Sequence, residues 1–204
     1  MIKIVDCFTF NNNYKLLNYR LNILNSTVDY FVIVESYIEN NFIIEEKFKE
    51  KIVHVKINPE IKDEITKRNS ISIGIDKIKD LNKSDVLIIS DLNEIPDPNT
   101  LLKIKQGLYN IEINILEMEM YYKTLNTKLS KNWYLAKTIS YKNYSEMKLN
   151  CNDIRNIQCY IIPCGGWCLS NFNDEMDSKE SILNNANDNR YLPVDYDKYL
   201  NCKI

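Results

Sequence analysis

Glycine is scarce in this 204-residue chain, occurring only at Gly74, Gly107, Gly165 and Gly166. With no G-x-G-x-x-G stretch and no Walker A loop, any nucleotide has to be held without a glycine-rich phosphate cradle. Histidine is scarcer still. His54 is the only one, and it alternates with Val53 and Val55 in a strand-like segment, which speaks against Ser-His-Asp or Cys-His catalysis. The six cysteines, Cys7, Cys151, Cys159, Cys164, Cys168 and Cys202, contain no C-x-x-C pair. They are too sparse for a small secreted disulfide scaffold, and without a nearby histidine they argue against structural zinc. No apolar run reaches the length that spans a bilayer, and Met1 to Asp6 enters a strand without a signal-peptide pattern. A cytoplasmic location is therefore the expectation, in which case the sequons at Asn25 and Asn143 carry no sugar. A net charge of -2 and a pI near 5.6 supply no general attraction for nucleic acid or an anionic membrane.

What the chain does have is length for one full domain core and a distinctive acidic turn. Asp85 to Pro98 reads D-V-L-I-I-S-D-L-N-E-I-P-D-P. Val86 to Ile89 are apolar, β-prone and too few for a helix, as expected of a central strand buried on both faces. Asp91, Asn93 and Glu94 then offer oxygen ligands where that strand emerges, and Pro96 and Pro98 keep the backbone from continuing as strand or helix. Carboxyl ends of strands are where open α/β sheets bind ligands, and hard oxygen ligands there suit Mg²⁺ or Mn²⁺. The competing reading is a solvated acidic turn.

Around this centre the hydrophobic pattern alternates strands and helices. Ile2 to Val5 reads as a strand, Asn13 to Asn25 as a helix with Leu17, Leu21 and Leu24 on one face, and Tyr30 to Val34 as a parallel strand. Ile52 to Ile57 makes a third strand, Asp63 to Leu81 a helix weakened by Gly74, and Asn99 is expected to cap a helix ending near Gly107. A slip in the alternation of Ile111 to Tyr122 suggests a bulged strand. Glu117 and Glu119 there fit a solvated strand face better than a catalytic one. Leu135 to Ile139 and Tyr160 to Ile162 read as strands, Tyr141 to Asn156 as polar loop with a short helix, and Glu175 to Asn187 as helix. Pro163-Cys164-Gly165-Gly166-Trp167 reads as a turn that lays an indole either beside a sugar or base, or over the core.

Several of these segments, taken in order, resemble glycosyltransferase family 17, which contains the β-1,4-mannosyl-glycoprotein 4-β-N-acetylglucosaminyltransferases. The resemblance rests on Asp6-Cys7-Phe8-Thr9-Phe10 with Asn12, Leu16-Leu17, Arg20-Leu21-Asn22 and Val28 to Ser36. Arg68-Asn69, Val86 to Pro96, Tyr121-Tyr122 with Asn126, Trp133, Arg155, and Gly166-Trp167 with Ser170 follow in register. It implies an α/β, GT-A-like (Rossmann-like) single domain with a mixed, mostly parallel sheet flanked by helices. The implied activity is inverting transfer of a sugar, N-acetylglucosamine in the family's named enzymes, from a UDP-sugar donor to a glycan hydroxyl with Mn²⁺ or Mg²⁺. The family pattern places aspartate where this chain has Asn93 and histidine where it has Cys168. A second reading, a family member that binds nucleotide sugar or glycan as a module, therefore stays open.

Within that frame Asp91 and Asn93 are the expected metal ligands, Asn93 contributing an amide oxygen one charge weaker than aspartate. Arg68, with Asn69 beside it, is expected to take a phosphate or to pair with Asp91. Phe8, Thr9, Asn12, Glu35 and Ser36 are placed to meet base and ribose. Trp167, Tyr121 and Tyr122 are candidates for the acceptor side. Glu94 and Asp174 are candidates for the general base that an inverting transfer needs, with Glu94 alternatively structural.

Overall fold

The computed structural model describes residues 2–36 and 44–172; Asp174 and the expected helix at Glu175 to Asn187 lie outside them. The chain opens with β1 (Ile4–Phe10), α1 (Tyr14–Leu24) and β2 (Tyr30–Glu35), then a 3₁₀ turn at Glu46–Lys51 and β3 (Ile52–Lys56). Two short helices follow, α2 (Glu64–Asn69) and α3 (Ile71–Ile75), then β4 (Val86–Asp91), β5 (Glu94–Pro96) and α4 (Pro98–Lys105). The rest comprises β6 (Ile113–Tyr122), β7 (Lys128–Trp133), β8 (Lys137–Ser140), α5 (Tyr141–Met147), α6 (Cys151–Arg155) and β9 (Tyr160–Ser170).

These strands form one nine-stranded sheet in the order β3-β2-β1-β4-β8-β6-β9-β5, with β7 on β6. β1, β2, β3, β4, β6 and β9 run one way and β5, β7 and β8 against them, so the sheet is mixed and mostly parallel. β1 has β2 on one side and β4 on the other, both parallel to it, and this reversal of strand order places a crevice at the carboxyl ends of β1 and β4.

Alternation along the central strands divides the core. Ile4 and Phe8 of β1 with Val86 and Ile88 of β4 join Leu17, Leu21 and Leu24 of α1. Val5, Cys7, Leu87 and Ile89 face the other way, onto Ile71 and Ile75 of α3 and Cys151 and Ile154 of α6. Every second residue of β4 thus serves the opposite layer, which is why its apolar run is continuous.

Several elements differ from the sequence reading. The expected helix from Asp63 breaks at Ser70 into α2 and α3; Gly74 lies so close to β2 that a Cβ there would meet Val32 Cγ1 at 2.3 Å. Pro96 is the last residue of β5, which among the described residues pairs with β9 alone and so tolerates a missing N–H at its end, whereas Pro98 does not stop a helix but opens one. The cap of α4 is Asp97, whose carboxylate accepts from Thr100 N–H, with Pro98 at the first helical position. β7 is a strand although its exposed pattern carries no apolar alternation, and two helices, α5 and α6, stand where the pattern reads as polar loop with one short helix. The glycines before Trp167 lie within β9, at a bulge where its register against β6 jumps from Ile162 to Gly166. Gly166 has φ +146, and a Cβ on it would stand 2.1 Å from the Ile95 carbonyl oxygen, so glycine there lets β5 approach β9. The expected bulge does not fall in β6, which advances two residues from Leu116 to Met118 while β9 advances from Ile162 to Gly166, and two from Glu119 to Tyr121 while β7 runs from Asn132 to Lys128, so the extra residues stand in its partners.

Candidate functional site

Two charged side chains that look misplaced in the sequence build the floor of the crevice. Arg20 lies on the apolar stripe of α1, and Asp6 lies in apolar β1 on the face toward that helix. Both are fully buried. The Arg20 guanidinium makes a fork to Asp6, Nε donating at 2.8 Å and Nη2 at 2.6 Å, and also donates to Ser90 Oγ at 2.6 Å. Its Nη1 donates to the carbonyls of Asp91 at 2.7 Å and Leu92 at 3.1 Å. Arg20 therefore holds the backbone of the acidic turn from the α1 side, with its plane 4.1 Å over the Phe8 ring.

The other side of the sheet holds the carboxylate. Arg68 of α2 donates to Asp91 Oδ1 at 2.9 Å, and Arg155 of α6 to Asp91 Oδ2 at 2.7 Å. Arg155 also makes a fork to Glu94, at 2.5 and 2.6 Å, and Glu94 accepts from the Asp91 backbone N–H and the Trp133 indole N–H as well. Burial pushes the Asp91 carboxyl toward the neutral form, but the Arg155 and Arg68 guanidiniums overcome this and hold it below its ordinary value. Asp91 remains 31% exposed, whereas Glu94 is 1% exposed.

Above this floor is a cavity of about 290 Å³ whose lining includes the apolar Leu16, Leu92, Leu169 and Phe172 and the polar Thr9, Glu64, Asp91 and Asn93. Thr9 and Asp91 are register partners across β1 and β4, so the cavity opens at the switch point itself.

The structure assigns the expected site residues to different places. Thr9, Asp91 and Asn93 line the cavity, and Arg68 stands behind Asp91. Phe8 is fully buried under Arg20 and has no face left for a nucleotide. Asn12 is exposed, in the left-handed region at φ 67, while its neighbours Asn11 and Asn13 line the cavity. Asn13 accepts the Leu16 N–H as the cap of α1. Glu35 is buried against His54 at 2.7 Å, and neither it nor Ser36 lines the cavity. Asn69 accepts the Asn152 N–H, joining α2 to α6. Glu94, with both oxygens bound, is a strut of the turn and has no lone pair facing the cavity. Tyr121 and Tyr122 point to opposite faces of β6: Tyr122 is buried, and the Tyr121 hydroxyl donates to Glu119 at 2.8 Å. Trp167 is half-buried, packs against the core, and shares a face with its register partner Glu119.

Arg20, Arg155 and Trp133 carry structure that no strand or helix pattern announces. The one local signal is Arg20 among Leu16, Leu17, Leu21 and Leu24, since a charge on a buried stripe demands a buried partner. Arg155 gives no such signal, because its partners are more than sixty residues away.

The donor set admits a divalent ion only conditionally. Among the described residues no three Asp, Glu, His or Cys side chains converge to hold one. Asp91 keeps lone pairs beyond the two that accept from arginine, and Asn93 adds an amide oxygen. The guanidiniums of Arg20, Arg68 and Arg155 balance the carboxylates of Asp6, Asp91 and Glu94, so the cluster has no formal charge to attract a free cation. A ligand that brings its own phosphates would supply the missing charge and oxygens.

An open α/β sheet with a polar cavity at its switch point defines a Rossmann-like, ligand-binding domain. The chain belongs to glycosyltransferase family 17, whose model matches residues 1–174, and it is accordingly a glycosyltransferase. A crystal structure of 4-diphosphocytidyl-2C-methyl-D-erythritol synthase superposes with a TM-score of 0.50 at 12% identity, covering 91% of this chain and 98% of that one. At that identity the likeness bears on the fold alone. No curated protein matches the chain. No helix among the described residues is long and apolar enough to cross a membrane.

Proposed function

We propose that the chain transfers a sugar, with inversion, from a UDP-sugar donor to a glycan hydroxyl, UDP-N-acetylglucosamine being the first donor to try. The observation that carries this reading is the cavity at the β1–β4 switch point, floored by an Asp91 carboxylate clamped between two arginines. The donor's diphosphate would lie over Asp91 and Asn93. Mg²⁺ or Mn²⁺ would be held by Asp91 and Asn93 together with the phosphates, and would supply charge neutralisation for the departing diphosphate. Arg68 and Arg155 keep Asp91 ionised and fixed, so the ligand geometry exists before the donor arrives. The apolar lining residues Leu16, Leu92, Leu169 and Phe172 would contact the ring faces of base or sugar.

Calorimetry of UDP with and without Mn²⁺ tests this directly. UDP binding that strengthens with Mn²⁺, and Mn²⁺ binding that is weak until UDP is present, are the expected results. Equal Mn²⁺ affinity with and without UDP would dismiss the conditional site. Asn93→Asp places a second carboxylate beside the ion and is expected to lower the Mn²⁺ concentration needed for UDP binding roughly tenfold, about 1.4 kcal/mol. No change, or a rise, would remove Asn93 from the ion's ligands.

The acceptor side rests on Trp167, with Tyr121 and Glu119 on the same face of the sheet. Because Trp167 is half-buried, Trp167→Ala is expected to cost clearly less than the roughly 3–5 kcal/mol of a fully buried indole. UDP affinity should persist while transfer slows. A full core-sized loss in thermal unfolding would return Trp167 to the core.

A further inference from the structure

Transfer to a hydroxyl requires a proton acceptor, and the described cavity contains two carboxylates, Asp91 and Glu64. Asp91 is committed to Arg68 and Arg155 on both oxygens. Glu94, beneath it, is sealed by Arg155 and Trp133. Glu64 differs from both: its side chain is 62% exposed, and among the described residues its ion pair is with Lys67 at 2.7 Å on the same helix. Exposed pairs of that spacing contribute little, so exchanging Lys67 for a substrate hydroxyl costs little.

Its position follows from helix geometry. Glu64 is the first residue of α2 and Arg68 is four residues on, so both leave the same face, about 6 Å apart along the axis. Arg68 reaches down to Asp91, and Glu64 stands one turn nearer the start of the helix, against the same cavity. A diphosphate over Asp91 places the anomeric carbon and then the attacking oxygen in successive contacts of roughly 3 Å each. A carboxylate in the cavity lining, one helical turn from the arginine that holds Asp91, could receive the proton.

We infer that Glu64 is the general base of the transfer reading given above, the carboxylate that contacts the acceptor hydroxyl in the donor cavity. The acceptor oxygen forms its bond to the anomeric carbon as the bond from that carbon to the diphosphate oxygen breaks. The electron pair leaves on the diphosphate, and the hydroxyl proton passes to Glu64.

The test uses the full chain and UDP-N-acetylglucosamine with Mn²⁺, with water as acceptor and UDP release as the signal, because a base that serves a sugar hydroxyl also serves water. Glu64→Gln is expected to lower kcat by about 10²–10⁴-fold while leaving donor KM and calorimetric UDP affinity unchanged. Glu64→Asp should retain part of the rate. Undiminished kcat in Glu64→Gln, with wild-type turnover present, overturns the inference alone. A loss carried by Asp174→Asn and not by Glu64→Gln overturns it too, moving the base beyond residue 172. Wild-type protein that neither binds UDP nor releases it from the donor overturns the donor reading, and the inference with it.

Discussion

Arg155→Ala is expected to lower folding stability by about 3–5 kcal/mol, the usual cost of breaking a buried ion pair by deleting one partner. Arg155 is 3% exposed and carries Glu94, 1% exposed, on both arms of its fork, with Asp91 as a third contact. Truncation leaves Glu94 with only the Trp133 and Asp91 N–H donors to offset its charge. Urea unfolding of Arg155→Ala, Glu94→Gln and the double variant forms a cycle. The double variant should recover much of the single loss, since the uncompensated buried charge is then gone. Additive losses would show that Arg155 acts through packing alone.

The same substitution should alter the acid response. The Asp91 carboxyl is held below its ordinary value of 3.8 against the upward push of burial, by Arg155 first and Arg68 next. A group lowered in the folded state contributes stability that is present above the unfolded value and lost as pH falls through the folded one. In wild-type protein that contribution is lost as pH falls from the ordinary carboxylate value through the folded one. With Arg155 removed, burial faces one guanidinium fewer, the folded value moves up, and less of the remaining stability is lost on acidification. Unfolding free energies measured between about pH 7 and pH 2 should show the gap between wild type and variant narrowing toward acid, and a constant gap would mean that Arg155 does not set the charge of Asp91.

Arg20→Ala is expected to be comparably damaging, again about 3–5 kcal/mol, because Asp6 is fully buried and would lose its fork. The consequence reaches the site through the backbone. Arg20 Nη1 holds the Asp91 and Leu92 carbonyls, so its loss frees the turn that presents Asp91 and Asn93. Arg20→Lys keeps the charge but cannot make a planar fork and reach two carbonyls at once. It should fold with reduced stability and bind UDP more weakly than wild type, although Arg20 lies beneath the cavity and not in its lining. Unchanged UDP affinity in a folded Arg20→Lys protein would separate the turn's geometry from donor binding.

The sequence by itself determined the start of β1, the strands β2 to β4, the helix α1, and the position of Asp91 at the end of a buried strand; that β1 runs on to Phe10 was not legible. Those features depend on local periodicity, capping and short apolar runs, which neighbours within a few residues dictate. It also contained the family motifs, and with them the activity class. The tertiary structure alone decided which charged groups meet. Asp6 finds Arg20 fourteen residues away, but Asp91 and Glu94 find Arg155 across sixty-four and sixty-one, on a helix in a stretch that reads as mostly polar loop. β7 and β5 exist because β6 and β9 offer them edges, so neither carries a strand pattern of its own. Phe8 and Tyr122 pass from candidate ligand contacts to core for a related reason. Alternation says that neighbouring residues face apart, but only the packed layers determine which face holds the cavity.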